Sequence, residues 1–160
     1  MSLFEDGHYQ WRETYFVLFG KGDRPAAEAV VKSLEQLGPR YELKSVSADE
    51  QGKLESLTLL SHGDFAAMDV TYLSGDEVVE QVRELADEMR GTGLNAEENQ
   101  RLEKLPHCDA RFDVYHFEEM TFEPDEDDEM LDPGALLIVL ERLARICNGV
   151  GVDPQSGTLV

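Results

Sequence analysis

The chain is predicted to be an α+β protein: a ferredoxin-like antiparallel sheet with the order β-α-β-β-β-α-β, then an apolar helix and a short β-hairpin. Three observations carry that expectation. A wholly apolar run, Tyr15-Phe16-Val17-Leu18-Phe19, leads into a segment of helical spacing. Three strand-like segments follow between Tyr41 and Leu73. Two further helical patterns begin near Ser74 and Pro133, with a strand near Phe112 between them.

Each element has its own reason. Tyr15 to Phe19 is apolar at every position rather than alternating, so it should be an interior strand covered on both faces. Gly20, Gly22 and Asp23 break it. Ala27, Val30, Val31, Leu34 and Leu37 then recur at helical spacing between Pro25 and Leu37, and Gly38-Pro39 is a stop signal. Strands are expected over Tyr41–Val46, Leu54–Leu60 and Phe65–Leu73, the first two separated by the polar turn Asp49-Glu50-Gln51-Gly52. In the last, Ala66, Met68, Val70 and Tyr72 share one face and Asp69 and Thr71 the other.

Ser74 and Glu77 have the spacing of a capping box, opening a helix whose apolar stripe is Val78, Val79, Val82, Leu85, Ala86 and Met89. Residues 92–106 are polar and read as a surface connection, with a short helix from Ala96 to Leu105. Ala110, Phe112, Val114 and His116 form the inward set of the next strand. Residues 118–132 form a second, strongly acidic connection. Asp132-Pro133 caps a third helix, apolar nearly all round and so expected to be buried. Asp153-Pro154-Gln155-Ser156-Gly157 is a turn between two short β-prone pieces.

Composition limits function. At 160 residues the chain is expected to be one globular domain over 1–160 with a core of its own. Fourteen Lys+Arg against 34 Asp+Glu give a net charge of −20, a field that repels nucleic-acid phosphate and anionic membrane. Neither partner is expected. Two cysteines, Cys108 and Cys147, are too few for a disulfide framework. No apolar run approaches the roughly 20 residues of a membrane span, so a cytoplasmic protein with reduced thiols is expected.

Several segments invite a chemical reading. Gly20-Lys21-Gly22 lies between a strand and a helix, as phosphate loops do, but Pro25 stands where a dinucleotide loop needs glycine. Gly22 stands where a Walker loop needs Ser or Thr. Asp125, Asp127 and Glu129 fall at EF-hand loop positions, yet Met130 replaces the glycine and Leu136 the closing glutamate. An irregular site for Ca²⁺ or Mg²⁺ at Asp125, Asp127, Asp128 and Glu129 is the metal candidate. His107, Cys108 and Asp109 alternate sides if extended, so they cannot share one metal. Cys108 as a nucleophile would need a base supplied by the fold. Cys147 lies on the apolar helix as a core residue. His116 is expected to be partly buried with one hydrogen bond. Trp11 is suited either to sealing the core or to an interface.

The expected function is that of a non-enzymatic protein-interaction or regulatory module whose protein partner is basic, drawn by the acidic run Glu118–Asp132. The alternative is a divalent-metal-dependent enzyme, or metal binder, using that same segment. No other cofactor is expected.

Overall fold

The computed structural model describes residues 7–61, 63, 66–90, 93, 95–119, 134–153 and 158–159. Its elements are β1 (Tyr9–Phe19), α1 (Ala27–Glu35), β2 (Glu42–Ala48), β3 (Leu54–Ser61), β4 (Ala66–Ser74) and α2 (Asp76–Met89). Then come α3 (Ala96–Lys104), β5 (Ala110–Glu119), α4 (Gly134–Ile146), β6 (Val150–Asp153) and β7 (Thr158–Leu159). The fold is α+β. Seven strands form a single sheet in the order β2-β3-β4-β5-β1-β6-β7, and every neighbouring pair is antiparallel.

β1 is interior, between β5 and β6. Its apolar run is continuous because both faces are covered. Tyr15, Val17 and Phe19 join a core with α1 and α4, whereas Phe16 and Leu18 join a second core with α2. On the first face Val30 and Leu34 of α1 and Leu136, Val139, Leu140 and Leu143 of α4 are fully or almost fully buried. The Tyr41 hydroxyl, just before β2, ties that segment to α4 by donating to the Ala135 carbonyl at 2.9 Å. α4 is not buried all round, contrary to expectation: Leu137 and Ile138 are 41% and 40% exposed. A helix lying on one face of a sheet hides one side only, whatever its composition.

The strand pairing departs from the ferredoxin-like pattern in one decisive place. A split β-α-β unit puts two helix-joined, parallel strands on either side of a third. β5-α4-β6 does this around β1, but β4 and β5 are direct antiparallel neighbours, with Ser74 opposite Ala110. Two helices, α2 and α3, join them. One helix carries the chain to the far end of a sheet, whereas two carry it out and back. β4 and β5 are thus a hairpin whose turn is replaced by a helical pair, closed where the Gly75 N–H meets the Asp109 carbonyl at 3.5 Å.

This closure also overturns the capping box. Ser74 is spent in the ladder with Ala110. The N-cap of α2 is Gly75, with no side-chain cap, at φ 128° and ψ −166°, a conformation open essentially to glycine alone. α3, by contrast, has an ordinary cap: Asn95 Oδ1 accepts from the Glu98 N–H at 2.8 Å. Residues 92–106 are therefore more than a surface connection, since Leu105 is fully buried and Leu102 packs on the second core.

β2 is the open edge, and nearly all of it is exposed. Its register slips between Leu43 and Ser45, leaving Lys44 as an extra, charged residue. A bulge and a lysine both oppose pairing with a further strand.

Gly149, between α4 and β6, is a close-approach glycine. A Cβ there would collide with the Leu18 carbonyl oxygen and also press on Phe19 and Cys147. Since Leu18 pairs with Val150, the backbone has little room to retreat. Gly149→Ala should therefore cost about 3 kcal/mol or more, as overpacking against backbone does. Urea unfolding checks this; a loss below about 1 kcal/mol would show that the α4–β6 junction yields freely.

Candidate binding cleft

A cleft of about 430 Å³ opens between α2 and the short 3₁₀ turn Leu105–His107. Val79, Val82, Ala86, Pro106 and Cys108 supply its apolar lining, and Arg83, Asp87 and Arg90 its charges. Such a volume lies within the range of ligand pockets, which combine an apolar wall with a few polar groups. Val79, expected in the buried stripe, is 39% exposed here. Val78, one residue back, is fully buried on the sheet. A step of about 100° round the helix separates these two environments.

Cys108 closes the cleft floor. Burial pushes its thiol up to about 11, with the Asp109 carboxylate adding to the effect, so it is a neutral thiol at physiological pH. Its S–H donates to the Lys104 carbonyl at 3.4 Å. A protonated, buried thiol packs rather than attacks. His107 and Asp109, its sequence neighbours, do not join it. Asp109 turns to the other side, where its Oδ1 accepts from the Lys21 N–H at 2.7 Å.

That last bond also answers the Gly20-Lys21-Gly22 reading. The turn is a single 3₁₀ turn, Lys21–Asp23, rather than a helix N-terminus open to an anion. Asp109 already occupies the Lys21 amide, and the Asp23 and Arg24 N–H groups bond to the Gly20 and Lys21 carbonyls. The protein's own carboxylate stands where a phosphate would.

Two buried polar groups occupy opposite faces of β5. Asp113 is 7% exposed, with Arg111 Nε 2.7 Å from its Oδ1. The two are ion-paired across that short distance. Arg111 also donates to Gln81 Oε1 and lies 5.1 Å from the Phe16 ring centre. Burial raises the Asp113 pKa and Arg111 opposes the rise.

His116, on the α4 face, is fully buried rather than partly, and among the described residues neither ring nitrogen has the expected hydrogen bond. Glu13 Oε1 stands 3.6 Å from its Nδ1 and instead accepts from the Tyr15 hydroxyl at 2.7 Å. Burial lowers the His116 pKa against the pull of Glu13. His116 is thus neutral near pH 7, and the linked stability is present above its ordinary 6.5 and lost as pH falls through the folded value. Trp11 is 47% exposed, its indole N–H donating to Thr14 at 3.1 Å, so it does not seal the core.

The metal candidates Asp125, Asp127, Asp128 and Glu129 lie outside the described residues, as does the Asp132-Pro133 cap. Among the described residues no group of three His, Cys, Asp or Glu side chains could hold a metal ion. Nor is any described helix long and apolar enough to cross a membrane. Comparison with known proteins returns no matching family model, curated protein or solved structure.

Proposed function

We propose that the chain is a non-enzymatic protein-interaction module, working in the cytoplasm, that receives its partner at the cleft between α2 and the Leu105–His107 turn. The observation that supports it is the composition of that cleft: an apolar floor left half open by Val79 and rimmed by charges, with a thiol held protonated at its base. Those groups exclude water and fix orientation, which is what docking requires. The field of a −20 chain adds long-range steering of a partner with positive overall charge.

The test is site-resolved cross-linking. A photoreactive residue at Val79 should capture the partner, and one at exposed Glu28 on α1 should not. With the captured protein purified, Val79→Arg should weaken binding at least ten-fold at unchanged melting temperature, because Val79 is on the rim of the cleft. Association should also slow several-fold by about 0.5 M salt. Equal capture from both positions, or an affinity indifferent to Val79→Arg, would remove the cleft from the proposal.

A further inference from the structure

The charges of α2 are sorted. The helix carries six carboxylates, Asp76, Glu77, Glu80, Glu84, Asp87 and Glu88, and only Asp87 lines the cleft. Arg83, within the helix, and Arg90, just after it, both line it. In a chain with 34 acidic residues and 14 basic ones, two arginines on one small cleft are a local reversal of sign. Cys108 feels a further cation, Lys104, from the adjoining end of α3.

Arg83 differs from the other arginines. Arg12, Arg24, Arg90, Arg111 and Arg145 are ion-paired with carboxylates. Arg101 and Arg142 donate hydrogen bonds, and Arg40 faces the Tyr41 ring. Arg83 alone has no such partner among the described residues, although acids surround it in sequence. Among the described residues Arg90 is held only by Asp87, at 3.3 Å and at an exposed site, where an ion pair is weak and exchangeable. Seven residues separate the two arginines. They therefore lie on the same side of the helix, about 10 Å apart along its axis.

Resting on the reading of the preceding subsection, we infer that the partner segment received here is acidic and amphipathic. It seats an apolar side chain over Val82, Ala86 and Cys108 and sets one carboxylate on Arg83 and a second on Arg90. A guanidinium matches a carboxylate by two parallel N–H donors, which fixes orientation as well as charge. Two separate carboxylates fit better than one compact phosphate group, because the two arginines stand about 10 Å apart along the helix axis. The whole-chain field steers the partner's body, and the cleft reads its segment.

A phage-displayed library of random 12-residue peptides tests this, selected on the intact protein and counter-selected on Val79→Arg. Peptides retained by the wild type alone should share Asp or Glu beside Leu, Ile or Phe. Synthesised with lysines at non-conserved positions to cancel net charge, such a peptide should lose ten-fold or more in affinity when its carboxylates become amides. Arg83→Glu should cost a similar factor without altering the melting temperature, and a lysine at the matching peptide position should restore binding. Val79-dependent peptides that are neutral or basic would reject the acidic occupant while keeping the cleft. Enrichment of no Val79-dependent peptide would reject the cleft and both readings with it.

Discussion

Phe112→Ala should unfold with a loss of about 3–5 kcal/mol, the range for emptying a buried aromatic site. Phe112 is fully buried on β5, in the centre of the sheet. Its ring lies 4.7 Å from that of Phe19 and 6.1 Å from that of Tyr72, between centroids. The Tyr72 ring carries Arg24, at 3.7 Å, which in turn holds Asp49 and the Leu54 carbonyl. A cavity at Phe112 therefore loosens a stack that ends at the β2–β3 turn. Against a typical total of roughly 5–15 kcal/mol, the loss is a large share of the stability. Urea denaturation with an unchanged m-value is the measurement; a loss under about 1.5 kcal/mol would mean that the neighbours collapse into the space.

Arg111→Met should be comparably severe and should change how stability depends on pH. It leaves Asp113 buried without its cation, a kind of change that costs about 3–5 kcal/mol. The sign of the pH effect follows from burial. Asp113 already has a raised pKa, and loss of the opposing arginine raises it further. A carboxyl group whose folded pKa lies above the unfolded one stabilises below the unfolded value. That contribution is lost as pH rises through the folded value. The variant should thus be closest to wild type near pH 4 and fall behind toward pH 7. Arg111→Met combined with Asp113→Leu should recover most of the loss, since an apolar pair of similar volume replaces a buried ion pair at little cost. A uniform deficit at every pH, or a double variant no better than the single one, would show that Arg111 acts through packing on Phe16 alone.

Where a signal was local, it was legible. The apolar run at Tyr15–Phe19 announced an interior strand because two cores claim alternate residues. The faces of β4 followed from alternation, and a short helix from Ala96 was expected within a polar segment. What depended on partners in space was not. The capping box failed because Ser74 was taken by Ala110, 36 positions away by subtraction of their numbers. The neighbour relation of β4 and β5 turned on the path the two intervening helices take in space, out and back to Ala110 beside Ser74.

The cleft was hidden by counting Val79 with the core. A finer reading was available: Val79, Arg83, Ala86 and Arg90 recur at intervals of four, three and four, a second seam beside the buried one. Those four residues line the cleft. Asp125 to Glu129 lie outside the described residues, so their cation reading stands as the sequence left it.

The helical excursion has a bearing on how this protein can change over generations. α2 and α3 leave and rejoin the sheet at two adjacent points, Ser74 and Ala110. A segment so anchored closes a loop at one end of a hairpin while its helices cover the second core, and the entropy of closing it grows only as about (3/2)RT ln n. Lengthening its far tip by a few residues thus adds a few tenths of a kcal/mol, whereas an insertion within β4 or β5 would throw the register of the central strands. The part of the molecule proposed to choose a partner is therefore the part whose length can drift most cheaply, and diversification of partners would begin there.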